Sequence, residues 1–316
     1  MKQQNLRVAL VHDYIKEYGG AERVLETLHE IFPQAPVFTS VYCPEFLGPH
    51  KKRFEKWNIR TSFLQHVFLK EKLISVFRLL APFAFKQFDF SEFDLIITSA
   101  TGAYSPNILN KKKALLVSYT HTPPRYLYGY ETARDWKKNP VLKFLGELAN
   151  SVLRVIDYRS SENVDLYIAN SENVKKRIKK FYRKDAVVVY PPVTVIGKSK
   201  KKKGYFLAGG RLARPKHIDI IIQTANDMRL PLKIFGKGFA GYGEELHAMA
   251  GSTVEFLGEV SDAEKLALMS EAQAFIMASV DEDFGITPVE AMGVGTPVIA
   301  YKSGGLLESV VEGKTG

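Results

Sequence analysis

Residues 187–208 read VVVYPPVTVIGKSKKKKGYFLA, and this stretch decides the predicted fold. The double proline at 191–192 can continue neither a helix nor a central strand, because proline lacks an N–H and its φ is fixed. The segment that follows, Val193–Lys203, contains a glycine and a run of four lysines, a composition typical of a linker. Apolar runs typical of buried strands lie on both sides of it. We therefore predict two domains, residues 1–196 and residues 197–316.

Short apolar runs alternate with helical patterns in both domains, and each run is almost continuously apolar, as a parallel strand covered on both faces requires. In the first domain the predicted strands are Val8–Val11, Pro36–Ser40, Leu95–Ser99, Leu115–Tyr119, Leu166–Ala169 and Val187–Tyr190. In the second they are Tyr205–Ala208, Leu232–Phe235, Val254–Leu257, Ala274–Met277 and Pro297–Tyr301. Helices fit between them, for example over Asp262–Glu271. The alternation predicts an α/β fold of two doubly wound, Rossmann-like domains, with ligands in the cleft between them at the carboxyl ends of the strands.

The composition is that of an ordinary globular protein, since 46% of the 316 residues are apolar and 25% are charged. It excludes a disordered chain, a collagen-like chain and a coiled coil, and no stretch approaches the roughly 18 consecutive apolar residues of a membrane span. The single cysteine, Cys43, excludes internal disulfides and cysteine-based zinc sites. Because a chain without disulfides fits a reducing compartment, and the N-terminus, which begins as a strand, has no signal-peptide pattern, we predict a cytoplasmic protein.

The net charge of +10 comes entirely from the first domain. Residues 1–196 contain 30 basic and 19 acidic side chains, whereas residues 197–316 contain 14 and 15. A basic domain favours an anionic partner, such as a phosphorylated substrate or an anionic membrane surface. Because the chain has no zinc finger, RNA-recognition signature or basic zipper, no nucleic-acid partner is expected. The apolar segment Val67–Phe85 carries interleaved basic residues, which predicts contact with an anionic membrane, the alternative being a helix packed on its own domain.

Two features of the first domain follow predicted strands. Gly19 and Gly20 open a helical pattern after the first strand, and glycines at a helix N-terminus let an anionic ligand approach the backbone. The alternative is a plain strand–helix turn. His121 follows the strand Leu115–Tyr119 and precedes the stiff pair Pro123-Pro124. A histidine at the carboxyl end of a buried strand can hydrogen-bond a ligand or assist a proton transfer, with a structural histidine as the alternative.

Glycines and positive charge meet at the start of the second domain. Gly209-Gly210-Arg211 follows a predicted strand, and Lys216 comes five residues later. An arginine and a lysine near a helix N-terminus can hold a diphosphate, two solvated surface charges being the alternative. Residues 236–241, GKGFAG, match G-x-G-x-x-G between a strand and a helix. The match lies outside the first strand–helix unit of either domain, so we interpret it, including Gly236, as a nucleotide-side loop rather than a hydride-cofactor site.

The stretch richest in chemistry is residues 281–290, DEDFGITPVE. It carries Glu282 and Glu290 shortly after the fourth predicted strand of the second domain. Pro288 fits the first helical position and Thr287 the N-cap, so Thr287 and Glu290 also match a capping box that would have no ligand role. The three leading acids formally match a metal-binding triplet, but adjacent acids in a loop are a weak indication of metal.

Taken together, the motifs resemble the retaining nucleotide-sugar glycosyltransferases of family four, which have the GT-B fold. The most specific part runs from Glu282 to Glu290 and is similar to the family's E-x-F-G-x-x-x-x-E motif. The segment His121-Thr-Pro-Pro-Arg-Tyr resembles members that transfer mannose or a related sugar in surface polysaccharide assembly. The other motifs that carry the resemblance are Gly19-Gly20-Ala21-Glu22, Ala169-Asn170-Ser171, Tyr190-Pro191-Pro192-Val193, and Gly210-Arg211 with Lys216.

The resemblance implies a role for each candidate. Domain one would bind the acceptor and domain two the sugar nucleotide. His121 would contact the transferred sugar and Glu282 would lie near it, which makes both candidate catalytic residues. Arg211, Lys216 and helix N-termini would supply positive charge to the leaving diphosphate, so no metal and no other cofactor is expected. Glu290 would hold the ribose. The candidate donor-binding residues are Gly19, Gly20, Arg211, Lys216, Gly236, Phe284, Gly285, Ile286, Thr287 and Glu290.

The predicted function is transfer of a sugar, with retention, from a nucleoside-diphosphate sugar to a glycan or lipid-linked acceptor in surface polysaccharide biosynthesis. GDP-mannose is the favoured donor, and the protein is expected to be peripheral at the inner face of the cell membrane. Two alternatives stay open: a non-catalytic module that binds a sugar nucleotide or a carbohydrate, and an NAD-type oxidoreductase. The sequence stops at a turn signal over residues 312–316, where family members continue, so we predict a fragment.

Overall fold

The computed structural model describes residues 6–132, 140–193, 200–239 and 241–316. The chain divides into two compact units, one made of Met1–Gly129 and Lys137–Pro192, the other of Tyr130–Trp136 and Val193–Gly316. The domain boundary predicted at 196/197 lies outside the described residues, as does most of the predicted linker. Each unit is built on a parallel sheet of its own.

The first unit contains a seven-stranded sheet. Its strands are β1 (Val8–His12), β2 (Val37–Thr39), β3 (Ile59–Thr61), β4 (Leu95–Ala100), β5 (Leu115–Thr120), β6 (Leu166–Ala169) and β7 (Ala186–Val188). They lie in the order β3-β2-β1-β4-β5-β6-β7, and every neighbouring pair is parallel. The chain begins in the middle with β1, proceeds to one edge, and then returns to β4, so the strand order reverses between β1 and β4.

The helices of the first unit are α1 (Gly20–Ile31), α2 (Lys70–Leu73), α3 (Ala81–Lys86), α4 (Pro140–Ser161) and α5 (Glu172–Tyr182). Their starting points follow local capping chemistry. At α5 the hydroxyl of Ser171 accepts a hydrogen bond from Val174 N at 3.0 Å. At α1 the carboxylate of Glu22 accepts one from Gly19 N at 2.8 Å. Both contacts satisfy N–H groups that a helix start leaves without an intrahelical partner.

The second unit contains a five-stranded parallel sheet in the order β10-β9-β8-β11-β12. Its strands are β8 (Phe206–Gly209), β9 (Leu232–Phe235), β10 (Val254–Gly258), β11 (Phe275–Met277) and β12 (Val298–Ala300). Its helices are α6 (Ile218–Met228), α7 (Tyr242–Met249), α8 (Asp262–Glu271), α9 (Ile286–Gly293) and α10 (Leu306–Ser309). The prediction of two doubly wound α/β sheets is therefore confirmed.

Alternate residues along the strands pack into separate cores on the two faces of each sheet. In β1, Ala9 and Val11 belong to one apolar cluster and Val8 and Leu10 to another. In β8, Leu207 and Ala208 divide in the same way. Because both faces are covered by apolar side chains, the strands have the nearly continuous apolar sequences from which they were predicted. Within the described part of the chain, no helix is both long and apolar enough to cross a membrane.

Candidate functional site

In the second unit, three loops leave adjacent strands at the same edge of the sheet. Strand β8 lies between β9 and β11, and the chain proceeds from β8 outward to β10, and afterwards in the opposite direction from β11 to β12. This reversal of strand order is a topological switch point, where open α/β sheets bind their ligands. The loops after β8, β9 and β11 carry Gly210, Gly236 and Glu282. The switch point therefore brings together the loops that carry Gly236, a predicted donor-binding residue, and Glu282, a predicted catalytic residue.

Gly210 and Gly236 are in direct backbone contact. Both have positive φ, +115° and +116°, a region that glycine adopts without penalty. A Cβ atom on Gly236 would lie 1.8 Å from Gly210 O, which is far inside van der Waals distance. Gly238 packs in the same way against the Cα of Gly243. Gly236 and Gly238 of the G-x-G-x-x-G match thus allow close packing, whereas a Cβ on Gly241 would meet nothing within 4 Å. Ala240 in that match lies outside the described residues.

The two cations predicted for the diphosphate lie in different surroundings. The side chain of Arg211 is exposed, and its guanidinium lies 5.6 Å from the centre of the Phe239 ring. Lys216 ends the short 3₁₀ turn Arg214–Lys216, and its Nζ donates a hydrogen bond to Glu282 Oε2 at 2.6 Å. Lys216 and Glu282, which the sequence suggested for two different groups of the donor, are therefore a partly buried ion pair.

Residues after β12, which the sequence analysis did not select, pack against this loop. Gly305 N donates a hydrogen bond to Glu282 O at 2.7 Å, and Ser303 Oγ accepts one from Asp281 N at 3.0 Å. A Cβ on Gly304 would lie 2.4 Å from Glu282 O. The signal that could have located these residues is the Ser-Gly-Gly sequence that begins two positions after the end of the predicted strand Pro297–Tyr301, since its glycines permit such an approach. They hold the backbone of the Glu282 loop in place.

Helix α9 begins differently from the prediction. Gly285, with φ of +89°, is the N-cap, and the helix starts at Ile286, so Thr287 is its second residue and Pro288 its third. The predicted capping box of Thr287 with Glu290 is therefore wrong. The helix starts two residues earlier than expected because a left-handed glycine turns the chain into it and the packing of Gly304 and Gly305 fixes the preceding loop. Phe284 is buried, and Ile286 and Thr287 are half-buried.

Thr287 faces the glycine loop after β8, since its Oγ1 lies 4.0 Å from the position of a Cβ on Gly210. Glu290, one turn further along α9, is only 3% exposed and forms an ion pair with Lys265 of α8, with Oε1 and Nζ 2.9 Å apart. Lys265 also contacts Asp262 at 3.2 Å. The structure therefore groups Gly210, Gly236 and Thr287 at the switch point, and it pairs Glu290 with a neighbouring helix. That Glu290 holds a ribose stays a prediction.

The predicted residues of the first unit lie around its own switch point, between β1 and β4. Gly19 is the N-cap of α1 and Gly20 is its first residue. His121 directly follows β5, and its N donates a hydrogen bond to Ala100 O at 2.9 Å, which prolongs the pairing of β4 and β5. Its Nε2 lies 2.9 Å from Ser99 Oγ. Ser99 was not selected from the sequence, because a serine inside an apolar strand carries no signal of its own.

Asp13, the residue after β1, anchors the loop that follows β4. Its Oδ2 accepts hydrogen bonds from Thr101 N, Ala103 N and Tyr104 N at 3.1–3.2 Å, and a further one from the Thr101 hydroxyl. Asp13 is fully buried, and burial raises its pKa above the ordinary value, while the neighbouring His12 and these hydrogen bonds oppose that rise. The sequence analysis did not select Asp13, although its position at the end of the first predicted strand could be recognised from the sequence.

Metal ligation was considered for the acids at residues 281–283. Among the residues that the structure describes, no three or more His, Cys, Asp or Glu side chains form a group able to hold a metal ion. The carboxylate of Glu282 is bound instead by Lys216. The observed chemistry of this loop is therefore that of an ion pair beside a glycine-rich edge.

Two family models match the chain almost end to end. The model described as Glycosyltransferase Family 4 matches residues 18–195, and the model described as Glycosyl transferases group 1 matches residues 194–316. The first match covers strands β2 to β7 of the first sheet, and the second covers the whole second sheet. The first of them alone covers more than half of the chain.

Individual relatives are similar to parts of this chain at modest sequence identity. The chain is 26% identical over 263 residues to the alpha-1,3/1,6-mannosyltransferase ALG2 of Homo sapiens, an alignment that covers 71% of this chain and 61% of the relative. It is 34% identical over 142 residues to the O-antigen chain mannosyltransferase RfbU of Salmonella typhimurium, covering 41% of this chain and 40% of the relative. The chain therefore spans less than two thirds of the length of either relative.

A solved structure of Anabaena HepE in complex with UDP and glucose has the same fold, with a TM-score of 0.65 at 20% identity over 97% of this chain and 84% of that one. Because the two matching family models account for both parallel-sheet units and the fold likeness extends over nearly the whole chain, this protein belongs to glycosyltransferase family 4 and has the GT-B, Rossmann-like fold.

Proposed function

We propose that this protein transfers a hexose from a nucleoside-diphosphate sugar to a glycan or lipid-linked acceptor, with retention of anomeric configuration. The observation that carries the proposal is a set of groups suited to binding a ligand at the switch point of the second sheet. There the backbones of Gly210 and Gly236 meet, the N-terminus of α9 follows Gly285, and the Lys216–Glu282 ion pair lies in an adjoining loop. Such an edge suits an anionic ligand that needs close approach to the backbone.

Transfer of the sugar requires charged protein groups of both signs. Positive groups must stabilise the departing diphosphate, and a negative group favours the sugar as it becomes oxocarbenium-like. We assign the first role to Arg211 and Lys216, and the second to Glu282. Since Lys216 and Glu282 are paired, the diphosphate would compete with Glu282 for the lysine, and the freed carboxylate could then face the sugar. His121 is assigned to the sugar as well, and Glu290 to the ribose.

The favoured donor is GDP-mannose, and the favoured setting is the assembly of a surface polysaccharide at the cytoplasmic face of the membrane. Support comes from the relatives, since ALG2 and RfbU are described as mannosyltransferases and RfbU as acting on an O-antigen chain. HepE was solved with UDP and glucose, so a uridine nucleotide is the competing donor.

A thermal-shift panel followed by a transfer assay tests this proposal. GDP-mannose, GDP, UDP-glucose, UDP and NAD are each added to the protein, since a ligand that binds the native state raises the melting temperature. We expect GDP-mannose and GDP to do so, and mannose to be transferred to a glycan acceptor. Stabilisation by NAD alone would favour the oxidoreductase alternative. Binding of a sugar nucleotide without transfer or hydrolysis would favour the non-catalytic module.

Two substitutions test the assigned charges. Arg211→Ala and Lys216→Ala should each weaken binding of the nucleoside diphosphate by roughly tenfold or more, because each removes a charge-assisted contact worth about 1.5–3 kcal/mol. Glu282→Gln should instead lower turnover while nucleotide affinity is kept or raised, since it frees Lys216. Lys203→Ala, which removes an exposed lysine paired with Glu271 just before the start of β8, away from these loops, is the control. Wild-type nucleotide affinity in both cation variants would remove Arg211 and Lys216 from the site.

Peripheral membrane binding is part of the proposal. Large apolar side chains are exposed around α2 and α3, among them Phe68, which is 84% exposed, and Phe83, which is 65% exposed. The others are Phe63, Leu69, Val76, Leu79 and Leu80. Lys70, Lys72 and Arg78 lie within the same segment. Apolar side chains interleaved with basic ones suit the surface of an anionic bilayer.

Vesicle sedimentation tests this surface. The protein should bind vesicles that contain phosphatidylserine more strongly than vesicles of phosphatidylcholine alone, and Phe68→Ser with Phe83→Ser should weaken that binding. Ile31→Ser, an exposed apolar position at the end of α1, is the matched control. Equal binding to anionic and neutral vesicles would contradict the membrane proposal while leaving the transferase proposal intact.

A further inference from the structure

The residue before Glu282 has a left-handed backbone. Asp281 has a φ of +55°, a region that residues other than glycine adopt at a cost, although aspartate tolerates it better than most. A residue stays in such a conformation only where its surroundings hold it there. Asp281 lies immediately before the carboxylate that pairs with Lys216. The backbone of this loop is therefore under strain directly beside a candidate catalytic residue.

Two hydrogen bonds to the segment after β12 hold this strained backbone. Ser303 Oγ accepts a hydrogen bond from Asp281 N at 3.0 Å, and Gly305 N donates one to Glu282 O at 2.7 Å. The first bond fixes the peptide group before Asp281, and the second fixes the peptide group after Glu282. Both residues thus lie between two fixed points, and the side chain of Ser303 supplies one of them.

The pairing of β11 with β12 brings Ser303 to this position. Just past the end of β12, Tyr301 N donates a hydrogen bond to Met277 O at 2.9 Å. Ser303 N then donates to Tyr301 O at 2.8 Å, which turns the chain. Gly304 follows with a φ of +59°, and a Cβ there would lie 2.7 Å from Glu282 N and 2.4 Å from Glu282 O. The glycine permits the close approach, and the serine beside it provides the hydroxyl.

The conformation of Asp281 determines where the side chain of Glu282 lies. A return of Asp281 to the right-handed region would change its φ by roughly 120° and would redirect the chain that leads into Glu282. In the structure Glu282 Oε2 accepts a hydrogen bond from Lys216 Nζ at 2.6 Å, and the glutamate side chain is 14% exposed. Loss of the left-handed conformation would therefore separate the carboxylate from the lysine.

We propose that Ser303 is a positioning residue for Glu282. Its hydroxyl holds Asp281 in the left-handed conformation, and this conformation directs the Glu282 carboxylate to Lys216. Without that hydroxyl the N–H of Asp281 loses its acceptor, the residue relaxes to negative φ, and the ion pair loosens. The consequence for catalysis rests on the proposed function, in which Glu282 faces the transferred sugar. Ser303 acts on the substrate only through Glu282.

The first test measures the ion pair and needs no substrate. The coupling between Lys216→Met and Glu282→Gln in the free energy of unfolding is determined by urea denaturation, once in the wild type and once in the Ser303→Ala background. We expect Ser303→Ala to reduce this coupling by roughly half or more. Ser303→Thr keeps the hydroxyl and should preserve the coupling. Ser309→Ala is the matched control, because its hydroxyl contacts Gly305 O within the same segment.

Two variants of Asp281 test the route through the backbone. Glycine adopts positive φ without penalty, so in the Asp281→Gly background the hydroxyl of Ser303 is no longer needed. Adding Ser303→Ala to Asp281→Gly should therefore leave the coupling of Lys216 with Glu282 nearly unchanged. Asp281→Val should instead weaken the coupling even with Ser303 present, because a β-branched residue is strongly disfavoured at positive φ.

Three results of these cycles would overturn the proposal. One is a coupling in Ser303→Ala that equals that of the wild type, and another is the absence of any coupling in the wild type. The third is an equal loss of coupling when Ser303→Ala is introduced into the wild type and into Asp281→Gly, since the hydroxyl would then act by a route other than the backbone of Asp281.

Kinetics on the same variants separate this proposal from the proposed function. Ser303→Ala should lower kcat by roughly tenfold or more with little change in the KM for the donor, since Glu282 acts mainly in the transition state. Ser303→Thr and Ser309→Ala should keep the wild-type kcat. If the wild type transfers no sugar, the proposed function fails and the cycles still decide the role of Ser303. If the coupling falls and kcat does not, the assignment of Glu282 to the sugar fails.

Discussion

Lys216 Nζ donates a hydrogen bond to Glu282 Oε2 across 2.6 Å, although 66 positions separate the two residues in the sequence. The lysine side chain is 29% exposed and that of the glutamate 14%. Sequence motifs suggested one residue for a diphosphate and the other for a sugar. Their pairing means that neither can be replaced without changing the electrostatic surroundings of its partner.

The effects of Lys216→Met and Glu282→Gln on stability should therefore be non-additive. Each single variant leaves a partly buried charge without its main partner, whereas the double variant removes both charges. We expect a coupling of about 0.5–3 kcal/mol in the free energy of unfolding, measured by urea denaturation of the four proteins of the cycle. The exposed pair Lys302–Glu312 is the control and should show almost no coupling. Additive effects at Lys216 and Glu282 would mean that the two residues are not paired in solution.

Glu290→Gln should destabilise the protein. Under the capping-box interpretation this change would be nearly silent, because glutamine also caps. In the structure Glu290 pairs with Lys265, which is 12% exposed on its side chain and keeps its contact with Asp262 after the change. We expect a loss of about 1–3 kcal/mol in the free energy of unfolding. Glu259→Gln, which affects the exposed pair with Lys237, should be close to neutral. Equal unfolding midpoints for both variants would refute this role of Glu290.

The strands with long apolar runs could be predicted from the sequence, because parallel strands buried on both faces need apolar residues at nearly every position. β4 and β6 are examples. Strand β3 could not be predicted from the sequence, since Ile59–Thr61 is a three-residue edge strand whose middle residue is Arg60. Helix α8 was predicted with its observed bounds, and the structure shows a capping box of Ser261 with Glu264 at its start.

Contacts between distant segments were out of reach of the sequence. The start of α9 was predicted wrongly because Thr287, Pro288 and Glu290 match a local capping pattern, whereas Gly304 packs against the backbone of Glu282 and fixes the preceding loop. The residues that contact His121 depend in the same way on strand order, which one sequence does not specify. Motifs at strand ends therefore located the edge of each sheet, and the side-chain partners had to be seen in the structure.

Gly236→Ala should be far more costly than Gly258→Ala. Both glycines have positive φ, so both substitutions include about 1 kcal/mol of backbone strain. A Cβ at Gly258 meets nothing within 4 Å, but one at Gly236 would overlap Gly210 O. The two loops would have to separate, which we expect to cost a further 1–3 kcal/mol, roughly the usual penalty of overpacking. Chemical denaturation measures the loss of stability, and nucleoside-diphosphate affinity measures the effect of separating the two loops on ligand binding. Similar losses for both variants would contradict the close contact of the loops.

Asp157 of α4 is a buried carboxyl that three hydroxyl groups contact. Its Oδ1 accepts a hydrogen bond from Ser105 at 2.6 Å, and its Oδ2 accepts from Tyr128 at 2.8 Å and from Tyr182 at 2.9 Å. Burial raises the pKa of Asp157 to about 6, since the three hydrogen bonds offset only part of the cost of removing the charge from water. An ordinary aspartate in the unfolded chain has a pKa near 3.9.

This shift predicts a pH-dependent stability that Asp157→Asn abolishes. Between about pH 4 and pH 6 the folded protein holds a proton on Asp157 that the unfolded chain has lost, so this carboxyl makes the fold less stable as the pH rises through that interval. Two pKa units correspond to about 3 kcal/mol. Asparagine can accept from both tyrosines and donate to Ser105 without charge. The unfolding free energy of the variant minus that of the wild type should therefore increase by on the order of 2–3 kcal/mol from pH 4 to pH 7. Urea denaturation at a series of pH values measures it. A flat difference would show that Asp157 titrates in the folded protein as it does in the unfolded chain, and a falling difference would show a folded pKa below the unfolded value; either result contradicts the prediction.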